Sequence, residues 1–346
     1  MPRLRRSDCT SPGIRRRRAG RGFTYHDWEG RRVSDPEVLA RINALAIPPA
    51  WQDVWICPWA FGHIQAVGTD AAGRRQYRYH DAWRTRRNQE KFDHMLQFAR
   101  ALPLLREAVS ARVTGDALDR DQVLACAVRL LDIGFFRVGG EDYAEQNQSF
   151  GLATIRKRHV RVGDGEVIFD YVAKSGKQRI QALADPEVCA VVEALKRRRG
   201  GGPELLAFRE GSRWVDVRSA DINTFIKDIT GGDFSAKDFR TWHATVLAAV
   251  SLAVAADAAS STARKRAVTW AMKSVAHYLG NTPAVCRSSY VDPRVVDLYW
   301  DGTTIAPALA DLGQGVAFGQ PSTQGAIEQA VLALLDDSPA AAANVA

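Results

Sequence analysis

Between residues 22 and 83 the chain reads in short β-rich runs. Val54-Trp55-Ile56-Cys57 and His63-Ile64-Gln65-Ala66-Val67 are separated by Pro58 and Gly62, and residues 75–79 follow the turn signal Ala71-Ala72-Gly73. The pattern predicts three strands and a short helix over about 37–45. From about residue 81 the apolar positions recur every three or four residues, and most of the chain beyond is predicted helix. One β element interrupts it. Asp164-Gly165 and Ser175-Gly176 are hairpin turn signals on either side of residues 167–172, which predicts a three-stranded meander with Lys174 at the tip of its second hairpin. Helices are expected at 186–198, 219–229, 237–255 and 262–279. Thr282-Pro283 reads as an N-cap followed by proline at the first helical position, opening a short helix that carries Tyr290. A loop at 313–324, a last helix at 326–335 and a disordered Ala-rich tail after about 337 complete the pattern. No internal repeat is found. The fold class is α+β: a small β-rich domain at 22–90 and a larger, mainly α-helical domain at 91–346 that holds the meander.

At 346 residues the chain is long enough for two domains, and 46% apolar with 25% charged residues is ordinary globular composition. The net charge of +8 suggests a polyanionic partner, yet its distribution weakens that inference. Residues 1–21 hold eight arginines against Asp8, leaving only +1 for the other 325 residues. Like charges repel and little here is apolar, so 1–21 is expected to be a disordered basic arm. A nucleic-acid surface elsewhere must come from local clusters of Lys and Arg. The five cysteines lack zinc spacing and read as reduced thiols. The stretch 244–256 is apolar but too short to span a bilayer, and a packed core helix is expected there. Together these point to a soluble intracellular protein with no membrane partner.

The residues with chemistry cluster late in the chain. Lys237-Asp238-Phe239-Arg240-Thr241-Trp242-His243 opens a predicted helix behind the capping box Ser235-x-x-Asp238, and Leu279-Gly280-Asn281 and then Tyr290 follow about fifty residues on. At i, i+3, Lys237 and Arg240 are expected to share one face. Upstream stand Arg137, after an apolar helix and the turn at Gly134, and Lys174, with Lys177 as a near neighbour. Each has an ordinary alternative: a packed tyrosine ring, an exposed charged helix face, a capping cation, a solvated hairpin lysine. As a set they suit attack on a phosphodiester without metal. A tyrosine needs nearby cations to ionise below its usual pKa of ~10. Arginine forks neutralise a phosphorane, and a lysine can protonate the leaving oxygen.

In order and spacing, Arg137, Lys174, Arg240, Asn281 and Tyr290 resemble the type IB DNA topoisomerases, specifically the small poxvirus type also found in bacteria. The likeness runs from about residue 22 to 299. It implies an isomerase that relaxes supercoils of either sign by transient single-strand cleavage, through a 3′-phosphotyrosyl link to Tyr290 and strand rotation. Arg137 and Arg240 would stabilise the phosphorane. Lys174 would be the general acid, with Lys237 a possible relay partner. Eukaryotic and poxviral members have histidine where this chain has Asn281, so that position would donate a hydrogen bond and no more.

The resemblance also implies duplex DNA as partner, a β-rich DNA-clamp domain at 22–90, and DNA contacts by Gln76, Tyr77, Tyr79 and Tyr143. A monomer in the cytoplasm, associated with the nucleoid, is expected, using neither metal nor cofactor. No Gly-x-x-x-x-Gly-Lys-Ser/Thr loop is present for ATP, and a phosphotyrosine link itself stores the energy for religation. Tyrosine recombinases share the chemistry, but usually have His-x-x-Arg where this chain has Lys237-x-x-Arg240, and their N-terminal domain is helical. A non-catalytic DNA-binding relative is the alternative of another class.

Overall fold

A computed structural model describes residues 3–312 and 322–336. Most of the loop expected at 313–324, and the tail from 337, lie outside the described residues. The chain divides into two compact units, one through Asp93 and one from His94.

The first unit is a five-stranded antiparallel sheet in the order β2-β1-β3-β4-β5. Its elements are β1 (Ile14–Ala19), β2 (Gly22–His26), α1 (Pro36–Ala44), β3 (Gln52–Ile56), β4 (Ile64–Thr69) and β5 (Arg75–Tyr79). Asp35 caps α1 by accepting from the Glu37 N–H at 2.8 Å. Ile42 of α1 packs with Ile14, Val54, Ile56 and Ala66 of the sheet to form the core.

Residues 14–19 therefore correct the expectation of a disordered arm at 1–21. Strand β1 pairs with β2 through an Ala19↔Gly22 hairpin and with β3 at Ile14↔Ile56. The charges do not prevent folding because each arginine has a long apolar stem and a fork of donors. Arg16 donates to the carbonyls of Pro48 (3.1 Å) and Trp51 (2.6 Å) and lies over the Phe23 ring. Arg5 sits over Trp59, and its backbone bonds Phe61 and His63. Charge counting overlooked this stem-and-fork chemistry.

The boundary between the units falls within α2 (Asp81–Val113). Helix α3 (Arg120–Gly134), capped by Asp119, is the buried centre of the second unit, where Val123 to Val128 are all enclosed. After α4 (Glu141–Asn147) comes the expected meander of β6 (Val160–Gly163), β7 (Glu166–Ala173) and β8 (Lys177–Leu183), in the order β6-β7-β8. Its two turns have paired positive φ values, 53° and 79° at Asp164-Gly165 and 67° and 70° at Ser175-Gly176. The first is a two-residue hairpin loop and the second the three-residue loop Lys174–Gly176, and both need positive φ at the marked dipeptide. Next follow α5 (Pro186–Arg197), the unanticipated hairpin β9 (Ala207–Glu210) and β10 (Arg213–Asp216), α6 (Ser219–Thr230), α7 (Ala236–Ala253) and α8 (Ser261–Leu279). Three short helices, α9 (Pro283–Ser289), α10 (Pro293–Trp300) and α11 (Ala306–Leu312), and the longer α12 (Ser322–Asp336) close the order.

A buried ionic network holds α2, α3, α7 and α12 together. Arg106 forks onto Asp132 (2.7 Å) and Glu328 (2.5 Å), while Trp242 donates to Glu328 and His243 meets Asp132 at 3.2 Å. Burial raises the Asp132 pKa, but His243 and Arg106 outweigh it and bring the carboxyl down to about 2. The network fixes the end of α3 against α7, the two elements that position the cations described next. Among the described residues no helix is long and apolar enough to cross a membrane.

Candidate active site

Three chain breaks in regular structure meet around Arg240: two line a cleft of about 620 Å³, with Arg137, Lys174, Lys177, Arg179, Arg240, His277 and Tyr278 among its walls, and the third sets Tyr290 against Arg240. The first is the end of α3. The turn expected at Gly134 falls instead on Phe135, in the left-handed region at φ 53°. That conformation turns the Phe135 carbonyl toward α7, where it accepts from Arg240 Nη1 at 2.9 Å. Two residues on, Arg137 heads a loop pinned by glycine against glycine. A Cβ on Gly139 would lie 2.7 Å from the Gly151 Cα, so neither position tolerates a side chain.

The second break is the end of α8. Gly280 takes φ 63°, its N–H donates to His277 O, and the Asn281 N–H donates to Ala276 O at 3.0 Å. This pair of bonds is a Schellman motif, and it sets Asn281 just past the helix. Asn281 Oδ1 accepts from Arg137 Nη2, while its Nδ2 is buried without a hydrogen-bond partner. The neighbouring Cys286 sulfur is at best a weak acceptor. A buried amide donor with nothing to bond is costly unless a ligand oxygen fills the place.

The third break is the end of α9, capped by Thr282 as expected. Tyr290 closes it, its N–H bonded to Cys286 O at 2.9 Å. The Thr245 hydroxyl of α7 lies 3.4 Å from the Tyr290 carbonyl and accepts from the Asp292 N–H at 3.1 Å. One helix thus holds both the tyrosine backbone and Arg240. Arg240 is 5% exposed and Cζ stands 5.4 Å from the Tyr290 ring centroid. Its second bond runs from Nη2 to Leu279 O at 2.8 Å, and Nε has no partner.

The electrostatics follow. Burial opposes ionisation of the Tyr290 hydroxyl, but the charges of Arg240 and Arg137 and their hydrogen bonding outweigh it, so its pKa lies below the ordinary value. Burial and the nearby Arg137 bring Arg240 down to about 10, which still leaves it charged at neutral pH. Tyr171 feels the same arginines, yet its deeper burial pushes it up to about 12. Of these two tyrosines, only Tyr290 is primed to lose its proton.

Arg137, Arg240, Asn281 and Tyr290 come together, and Lys174 and Lys177 both line the cleft from the exposed second hairpin. Lys237 does not join them. It is exposed and interacts with Asp233, whereas Arg240 is buried. The two remain neighbours on α7, but only Arg240 reaches the carbonyls of Phe135 and Leu279 that hold it inward. Tyr77 and Tyr79 stack on the exposed face of β5 with centroids 6.0 Å apart, and Gln76 donates to Asp70 at 2.9 Å. Tyr143 lies on α4, with its side chain outside the described residues.

Sequence reasoning missed Arg179. It sits on the inner face of β8, paired across the strands with Tyr171, and donates through Nη2 to Tyr278 O at 2.6 Å and through Nε to Gln181 at 2.8 Å. Burial lowers its pKa. Simple alternation would turn Ile180 inward, but the Ser175-Gly176 turn sets the register that turns Arg179 in and leaves Ile180 exposed. Arg179 therefore ties the hairpin of Lys174 to the last turn of α8 that places Asn281. Arg179→Ala should slow covalent adduct formation on duplex DNA by about 10²-fold, the cost of a small misplacement, with little change in duplex binding. An unchanged single-turnover rate would remove Arg179 from this role.

Residues 80–298 match the family described as eukaryotic DNA topoisomerase I, catalytic core, and residues 22–70 match the bacterial DNA topoisomerase IB N-terminal domain. The chain belongs to the type IB DNA topoisomerase family. The family matches cover both units: the second holds the cleft, and the first holds the sheet with Tyr77 and Tyr79. DNA topoisomerase 1B of Acanthamoeba polyphaga mimivirus is 29% identical over 293 residues, 83% of this chain and 87% of the viral protein. DNA topoisomerase 1B of vaccinia virus (strain Copenhagen) is 20% identical over 287 residues, 82% and 88% of the two chains. Among the described residues no three His, Cys, Asp or Glu side chains are grouped to hold a metal ion.

Proposed function

We propose that this topoisomerase relaxes positive and negative supercoils in duplex DNA with Tyr290 as nucleophile. The phenolate oxygen attacks the scissile phosphorus and forms a 3′-phosphotyrosyl bond, and the bond to the 5′-oxygen breaks. Arg137 and Arg240 meet the charge of the phosphorane, and the Asn281 amide donates to a non-bridging oxygen. Lys174 gives the departing 5′-oxygen its proton. The freed strand rotates, and its 5′-hydroxyl then attacks the phosphotyrosine to restore the phosphodiester. The observation that carries this reading is the convergence of two guanidiniums and an unpartnered amide donor on a tyrosine of lowered pKa.

One chain supplies every group in this scheme, so the enzyme acts as a monomer, on DNA in the cytoplasm and nucleoid. Tyr77, Tyr79, Gln76 and Tyr143 contact the duplex. The cations belong to side chains and the proton to lysine, so no step needs nucleotide or metal. Plasmids of either supercoil sign should therefore relax in EDTA without nucleotide. An absolute requirement for ATP or a divalent ion would overturn the scheme.

A further inference from the structure

Helix α8 has a second face that the reaction does not use. Its apolar side, Val268, Ala271, Met272, Val275, Ala276 and Leu279, is buried, and the helix packs on α7 and α9. The opposite side forms a groove of about 340 Å³ lined by Thr262, Lys265, Arg266, Thr269, Trp270 and Lys273. These positions recur at three- and four-residue steps and so form one stripe. Trp270 is 68% exposed, far more than a ring of its size usually is. The nineteen residues of α8 include no Asp or Glu. Among the described residues, Lys265, Arg266 and Lys273 form no ion pair.

The stripe also has a direction. His277, one turn past Lys273 on the same side, lines the cleft that holds Arg137, Lys174 and Arg240. From His277 back to Thr262 the helix rises about 22 Å. Phosphates of one DNA strand are about 3.4 Å apart along the axis, so the stripe can follow six or so of them, roughly half a turn of duplex.

We infer that this face of α8 binds the sugar–phosphate backbone of the cleaved duplex as it leaves the cleft, about six base pairs beyond the scissile phosphate. The inference rests on the topoisomerase reading for the substrate and adds where its flank lies. Lys265, Arg266 and Lys273 neutralise successive phosphates, Thr262 and Thr269 offer hydroxyl donors, and Trp270 packs against the sugars between them. Charge on the partner and continuity with the cleft select DNA over an apolar protein surface, which would leave three cations unpaired.

Fluorescent duplexes with arms of about 4 or about 12 base pairs on either side of a cleavage site test this by anisotropy across a salt series. The wild type should gain affinity when one particular arm is lengthened. A Lys265→Gln, Arg266→Gln, Lys273→Gln variant should lose that gain, on the order of tenfold near physiological salt. Its log–log salt slope on the long arm should fall by about 2 to 3, for three phosphate contacts. Adduct formation on the short duplex should stay at the wild-type rate. Trp270→Ala should weaken binding of the long arm without changing the slope. A triple variant with wild-type slope on both arm lengths would overturn the inference, as would a defect that appears only when a second duplex is added. Anisotropy needs no cleavage, so loss of adduct in the wild type would count against the topoisomerase reading and leave the flank measurement standing.

Discussion

Tyr290→Phe should abolish relaxation of supercoiled plasmid and leave no covalent adduct on a nicked suicide substrate, while duplex binding stays near wild type. The expected loss of rate is on the order of 10⁶, as when other covalent enzymes lose their nucleophile. Fold and binding survive because the two arginines that bond the hydroxyl are anchored elsewhere, Arg137 on Asn281 and Arg240 on two carbonyls. Arg240 keeps its bonds to the Phe135 and Leu279 carbonyls, and the residue 290 backbone keeps Cys286 and Thr245. The same geometry sets a pH dependence. Arg240 and Arg137 hold the phenol below its ordinary pKa, so wild-type adduct formation should rise with pH and level off below the ~10 of a free tyrosine. Removing either arginine takes away a charge that favours phenolate, so the plateau should move to higher pH as well as lower. Single-turnover adduct formation between pH 6 and 10 measures both. A Tyr290→Phe enzyme that relaxes DNA at the wild-type rate would end the assignment.

What could be read from the sequence was mostly what is decided within a few residues. Asp164-Gly165 and Ser175-Gly176 marked the meander because paired positive φ values select those residue types locally. Thr282 and the Ser235-x-x-Asp238 box marked helix starts because a side chain there meets a backbone donor or its reciprocal partner. The cations and the tyrosine were legible by order and spacing, helped by family resemblance. Features set by distant partners were not. Strand β1 looked like a repelling tail because its carbonyl acceptors, at Ile47, Pro48 and Trp51, lie some thirty residues away. Arg179 was hidden because strand register, not polarity, decides which side of β8 faces the cleft. Lys237 is the converse case: spacing makes it a neighbour of Arg240 on α7, but distant carbonyls at Phe135 and Leu279 bury Arg240 and leave Lys237 exposed. The left-handed turn at Phe135 went unread because glycine stood beside it. Gly134 is needed there for space, since a Cβ would collide with the Phe136 ring.

The hairpin tip poses the remaining question of which lysine is the acid. Lys174 and Lys177 both line the cleft and both are exposed, so position alone leaves them near equals. Lys174 lies within the tight turn at Lys174–Gly176, whereas Lys177 begins β8 and pairs with Ala173. If Lys174 protonates the 5′-oxygen, Lys174→Ala should slow cleavage of ordinary DNA by about 10²–10⁴-fold, the usual worth of a general acid. Replacing the scissile 5′-oxygen with sulfur should remove most of that defect, because a thiolate leaves without a proton. Arg240→Ala should lose about 10²–10³-fold and stay slow on the sulfur substrate, since the phosphorane charge needs the guanidinium whichever atom departs. Arg240 is also buried and bonds two carbonyls, so Arg240→Lys, which keeps the charge but not the fork, should rescue little. Lys177→Ala should cleave at close to the wild-type rate and show a salt slope of binding shallower by about 1. Single-turnover rates on the paired oxygen and sulfur substrates distinguish these outcomes. Rescue of Lys177→Ala in place of Lys174→Ala would move the acid three residues along the hairpin, and equal rescue of the Lys174 and Arg240 variants would show that neither lysine is the proton donor.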